Sequence, residues 1–139
     1  MLRSIVLILG LSYVGCGAID NAYTLDNSFV AKYQKYFKTN LFTVVIYDNA
    51  SVKYANTQEN EIRWPVSLNY DLSEPFQEWT MLHELVHVDQ YKEKGVYKFI
   101  ADYTSDATKN SLDPLQMDLE IEVDARAHEI WKAVYGVEY

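Results

Sequence analysis

Trp79-Thr80-Met81-Leu82-His83-Glu84-Leu85-Val86-His87-Val88-Asp89-Gln90 lies in the middle of a segment that reads as one long helix. Ser73-Glu74-Pro75 offers a start, with proline tolerated in the first helical turn, and Gly95 offers a stop. Trp79, Leu82, Val86 and Gln90 fall along one side at helical spacing. His83 and His87 stand four residues apart, so they project from one face in successive turns and can reach a single metal ion. Glu84 points to the side of that pair, where a carboxylate can take a proton from metal-activated water. Two imidazoles with carboxylates nearby suit zinc. The alternative is a pair of core histidines satisfied by hydrogen bonds, with Glu84 in solvent. Leaving such groups unpaired on a buried face is costly, and a metal ion removes the cost.

A catalytic zinc site needs a third protein ligand and an open position. His128 is the one other histidine, and no further histidine pair exists. The last helical segment, opening at Asp113-Pro114-Leu115-Gln116 and ending near Gly136, carries Asp118, Glu120, Glu122, Asp124 and Glu129. Leu115, Leu119, Val123, Ile130 and Ala133 define its apolar stripe. Glu122 falls within that stripe, whereas Glu120 and Asp124 point away from it. The expected ligand set is therefore His83, His87 and Glu122, with Glu84 as general base. The competing role for Glu122 is an ion pair with Arg126, one turn on.

Upstream of the metal helix the pattern changes to strands. Residues 62–70 alternate strictly, with Ile62, Trp64, Val66, Leu68 and Tyr70 apolar and Arg63, Pro65, Ser67 and Asn69 between them. Pro65 cannot donate to a ladder, which predicts an edge strand or a bulge there. Residues 41–47 are rich in β-branched and aromatic side chains and read as a buried strand, with a weaker one at 51–55. Asp26-Asn27-Ser28 caps a short helix through Phe29, Val30, Tyr33 and Phe37. Residues 96–103 read as a second short helix and 104–112 as polar loop. The fold class is thus α+β: a small, mainly antiparallel sheet, an edge strand before the metal helix, and a C-terminal helix closing the site.

The first residues differ in kind. Arg3 supplies a positive charge, residues 5–11 are almost wholly apolar, and Gly15-Cys16-Gly17-Ala18 follows. That order is the layout of a secretory signal peptide over residues 1–18, too short an apolar run to span a bilayer. Tyr13-Val14-Gly15-Cys16 resembles a lipobox, departing from it at Tyr13. Two outcomes stay open: cleavage before a lipidated, membrane-anchoring Cys16, or cleavage after Ala18. The expected location is outside the cytoplasm, either periplasmic, lipoprotein-anchored or secreted, with residues 19–139 as one domain. Cys16 is the sole cysteine, so no disulfide within the chain contributes to stability. With 20 acidic against 12 basic side chains and a net charge of −8, the chain is a poor match for nucleic acid.

The helix motif continues through Val88, Asp89, Gln90 and Tyr91, then Gly95, Phe99 and Tyr103, then Glu122-Val123-Asp124-Ala125-Arg126. Over roughly the second half of the chain this resembles the gluzincin-type, zincin-like metallopeptidase domains, including those of bacterial proteins associated with contractile injection systems. Such domains pair a His-Glu-x-x-His-x-x-Gln helix with a downstream Glu-x-Glu-Ala segment; here Asp124 stands where a second glutamate is common. The resemblance implies ligands at His83, His87 and Glu122, a base at Glu84, and a peptide or protein substrate lying extended along an edge strand. Tyr103 is one candidate to hold a developing oxyanion. The expected function is zinc-dependent peptide-bond hydrolysis. Its alternatives are a catalytically silent, metal-stabilised binding module and a hydrolase of cell-wall peptide cross-links.

Overall fold

The computed structural model describes residues 21–139 apart from Ala50. The leader read in residues 1–18, with Cys16, lies outside the described residues. Among the described residues, four helices pack against a mixed sheet of four short strands. The strands are β1 (Ala22–Thr24), β2 (Val45–Asn49), β3 (Asn56–Gln58) and β4 (Glu61–Pro65); the helices are α1 (Asn27–Tyr33), α2 (Pro75–Lys94), α3 (Val96–Lys109) and α4 (Asp118–Tyr135). Among the described residues no helix is long and apolar enough to cross a membrane.

The sheet order is β1-β2-β4-β3. β1 and β2 are antiparallel, as are β3 and β4, but β2 and β4 run parallel, with Ile46 opposite Ile62. The sheet is therefore mixed: two of its three pairings are antiparallel, as expected, and the central one is parallel. The cause is the route of the chain: it leaves β2, passes to the far edge as β3, and the hairpin returns β4 between β2 and β3.

Two expectations about the alternating strand are corrected by this topology. β4 lies inside the sheet, and β3 is the edge strand that precedes α2. Pro65 is tolerated because it is the last residue of β4, beyond Arg63, the last position paired with β3. Past it the chain turns into a 3₁₀ segment, Val66–Leu68, closed by Asn69 in the left-handed region at φ 47°. The alternation thus buries Ile62 and Trp64 completely and stops there, leaving Val66 exposed. Residues 41–43 are likewise not strand. Asn40 accepts a hydrogen bond from the Phe42 amide at 3.1 Å and holds Leu41–Thr43 as a 3₁₀ turn before β2.

The core lies where Ile46, Ile62 and Trp64 of the sheet meet Leu82, Leu85 and Val86 of α2, with Val123 and Ala127 of α4 closing the other side. α1 starts at an Asp26 cap whose carboxylate accepts from the Phe29 amide at 2.8 Å, and it adds Phe29, Val30 and Tyr33. α3 runs to Lys109 through residues that read as loop. Its final turns are polar but carry the buried Asp106 and Ala107. α4 begins at Asp118, because Asp113 caps a separate 3₁₀ turn, Pro114–Gln116.

From Glu84 to Tyr91 every residue of α2 is buried, the mark of a helix enclosed on all sides. Four of those residues are Glu84, His87, Asp89 and Gln90, so each needs an internal partner. Asp89, with no exposed surface, accepts from the Lys38 and Thr39 amides at 3.0 and 2.8 Å and from Arg126 at 2.9 Å. One carboxylate thereby ties α2 to the segment after α1 and to α4. Arg126, whose guanidinium also donates to the Tyr36 carbonyl, is engaged there and not with Glu122.

A second buried carboxylate, Glu78, sits one turn before the motif. It accepts from Lys32 and Tyr33 at 2.8 Å and from Tyr135 at 2.5 Å. Burial alone would raise its pKa, yet these donors together hold it below the ordinary carboxylate value. A depressed folded-state pKa contributes stability that is present above the unfolded value and lost as pH falls through the folded one. Glu78→Gln should therefore destabilise the parent by about 1–3 kcal/mol near neutral pH. In urea unfolding across an acid series, that gap should close as pH drops below the carboxylate range. A gap that stayed constant with pH would show that the charge contributes nothing.

Candidate metal centre

α2 and α4 cross the core antiparallel, and two lines of side chains face each other along the seam. On α2 the line is Trp79, His83, His87; on α4 it is His128, Asp124, Glu120. Trp79 packs on the His128 ring at a centroid distance of 5.4 Å. His83 Nδ1 lies 2.8 Å from Asp124 Oδ1, and its Nε2 lies 3.3 Å from Glu120 Oε2. His87 Nε2 lies 3.5 Å from Glu120 Oε1. His83, His87 and Glu120 thus offer three ligand atoms within 4.8 Å of one another, close enough to hold a metal ion.

The spacing of the donor atoms suits a zinc ion. Two ligands bound tetrahedrally at ~2.0–2.1 Å stand about 3.4 Å apart, close to both observed Nε2-to-carboxylate separations. Each Nδ1 is already engaged, by Asp124 for His83 and by Gln90 Oε1 at 3.0 Å for His87. Both Nε2 atoms are thereby turned to the same carboxylate. Engaging the second ring nitrogen in this way is how a protein orients an imidazole ligand.

Glu122, the carboxylate expected from the apolar stripe, is exposed, and Glu120 takes the place beside the histidines. The stripe was tilted by two residues that do not belong to it. Leu115 is 69% exposed in the 3₁₀ turn before α4, and Ala133 is exposed near its end. The buried residues of α4 are Leu119, Val123, Ala127, Ile130 and Trp131. At ~100° per residue, Glu120 lies roughly 50° from their mean direction and Glu122 roughly 110°. Glu120 is on the flank of the buried face; Glu122 is outside it.

Electrostatics follow from that placement. Burial would lower the pKa of His83, but the Asp124 and Glu120 hydrogen bonds and the Glu84 and Glu120 charges outweigh it and push it up to about 10. Burial acts against the Glu120 charge too, and the His83 and His87 contacts more than compensate, holding that carboxyl far below its usual range. Near neutral pH a metal ion entering here would displace a proton from His83, so binding would release protons.

Glu84 lies beside this group, 5% exposed. Thr57 Oγ1 on β3 donates to Glu84 Oε2 at 2.7 Å and lies 3.1 Å from the Glu84 carbonyl oxygen. The edge strand therefore holds the candidate base directly. No protein-family model, curated protein or solved structure matches this chain.

Three further residues build the site, of which the sequence had pointed only to Tyr103. Tyr103 on α3 donates to Glu120 Oε1 at 3.0 Å, and burial with the adjacent carboxylate keeps its phenol protonated well above the normal range. Asp106 accepts from the Leu119 amide at 2.9 Å, pinning the start of α4 one residue before Glu120. Thr57 is the third. A signal for Glu120 and Asp124 did exist in the sequence: with His128 they form an i, i+4 series that matches Trp79, His83 and His87. Asp106 and Thr57 left none, because their partners come from distant segments.

Proposed function

We propose that this chain is a zinc-dependent metallopeptidase domain of gluzincin type, acting on peptide or protein substrates. The observation that carries the proposal is the convergence of His83, His87 and Glu120 from two helices with Glu84 buried beside them. Two imidazoles and one carboxylate are a donor set that zinc favours, and three protein ligands leave room for a fourth, exchangeable position. Zinc bound there would supply a Lewis acid that polarises the scissile carbonyl and activates water.

The rest of the chemistry belongs to the chain. Glu84 Oε2 is engaged by Thr57, leaving Oε1 to accept the proton of the attacking water and deliver it to the departing amine. Tyr103 keeps its proton and donates it to the Glu120 carboxylate, which fixes that ligand. β3, at the edge of the sheet, offers the backbone against which an extended peptide can pair. On the leader read in residues 1–18, the protein acts after export.

The test is cleavage of an unstructured protein such as casein by the full chain. A chelator should abolish cleavage and added zinc should restore it. Tight zinc binding without cleavage of any protein or cell-wall peptide would instead favour a silent, metal-stabilised binding module.

A further inference from the structure

Thr57 is the middle residue of β3 and is 4% exposed. The tight β3–β4 hairpin fixes its place: Glu59 and Asn60 form the turn, and Thr57 stands opposite Ile62. Directly opposed residues share a face of the sheet, so Thr57 points with the fully buried Ile62 into the core. There its hydroxyl meets one residue of α2 twice. Thr57 Oγ1 lies 2.7 Å from Glu84 Oε2 and 3.1 Å from the Glu84 carbonyl oxygen.

A hydroxyl has one proton to give, and both neighbours are acceptors. The two choices assign Thr57 different roles. Donation to the carbonyl would tie β3 to α2 and do nothing else; donation to the carboxylate would set the direction of the Glu84 side chain. The carboxylate makes the shorter contact and is the stronger kind of acceptor, while the carbonyl already serves the helix ladder. Valine has the same branched shape and an equal liking for strands, without a hydroxyl to bury. A threonine enclosed here therefore points to use of its hydroxyl.

We propose that Thr57 is a positioning residue for hydrolysis: its hydroxyl holds Glu84 Oε2 against β3, so that Oε1 faces the attacking water in one fixed direction. Among the described residues no other side chain hydrogen-bonds that carboxylate, so this contact alone selects among the rotamers of a long side chain. The role in hydrolysis rests on Glu84 being the base of the proposed peptidase; the contact itself does not. β3 is also the edge proposed to carry the peptide, so base and substrate share one support.

Thr57→Val keeps the shape and removes the hydroxyl, whereas Thr57→Ser keeps the hydroxyl. On an unstructured peptide, with zinc content matched, Thr57→Val should lower kcat about 10–100-fold, as loss of an outer partner does. KM should hardly change, because substrate binding is not touched. Thr57→Ser should recover most of the rate. The melting temperature of the full chain gives a readout independent of activity. Thr57→Val should lower it in the parent and have little effect in a Glu84→Leu background. An equal loss in both backgrounds would assign the proton to the carbonyl and overturn the proposal, as would an unchanged kcat in Thr57→Val. Should Thr57→Val fail to fold, Thr57→Ala and Thr57→Ser give the same comparison, since they differ only in the hydroxyl. A parent that cleaves nothing would overturn the role in hydrolysis together with the peptidase reading. Melting that still depends on Glu84 would in that case establish the contact, which keeps the two failures apart.

Discussion

Glu84→Gln is expected to lower peptide hydrolysis by about 10²–10⁴-fold, the range associated with one general acid–base group, while zinc content stays near that of the parent. The two side chains have almost the same shape, and an amide oxygen can still accept the Thr57 hydroxyl that now bonds Oε2 at 2.7 Å. The neighbouring candidate ligands His83, His87 and Glu120 keep their contacts. What disappears is the ability to take a proton from water and pass it on. Initial rates on an unstructured peptide, with metal content measured on the same samples, give both numbers. Activity that survives the change would sink Glu84 as the base; zinc lost along with activity would mean that Glu84 helps to hold the ion.

The second large effect concerns the ligand set. His83→Ala and Glu120→Ala should each weaken zinc binding by more than the ~10–100-fold typical of losing an outer partner, whereas Glu122→Ala should leave it unchanged. The reason is angular. Residues two apart on a helix point ~200° apart, so Glu122 could reach the histidines only if α4 turned by about half a revolution. That turn would expose Val123 and Ala127, both fully buried, and bury Ile121, which is 51% exposed. Competition against a metal-binding dye, with circular dichroism to confirm that each variant folds, tests the set. Zinc retained in Glu120→Ala and lost in Glu122→Ala would refute the arrangement of α4. Because Tyr103 and both histidines lean on Glu120, the folded fraction of Glu120→Ala has to be measured alongside.

Much of the architecture was legible because the relevant signals are local. The limits of α2 follow from Pro75 and Gly95, residues whose backbone preferences act over one or two positions. The facing of Ile62 and Trp64 follows from the period of two. The i, i+4 placement of His83 and His87 is a property of any helix, whatever surrounds it. Where local signals compete, the outcome is decided at a distance. The polar residues after Tyr103 resemble a loop until Asp106 is seen to cap α4 across a gap in sequence. Pro65 reads as an edge because a lone strand has no knowledge of its neighbours, whereas in the sheet its place is set by where the ladder with β3 ends.

By itself the sequence determined the helix that carries the two histidines, the carboxylate between them and the α+β class, since each rests on spacing or on the preferences of single residues. Tertiary structure alone decided that Glu120 and not Glu122 faces His83 and His87, that β3 is the edge strand, and that Thr57, Gln90 and Asp124 orient the site. A helix's own periodicity defines an angle but no origin. The origin comes from packing, and on α4 the packing of Val123, Ala127 and Trp131 rotates Glu120 into the seam with α2.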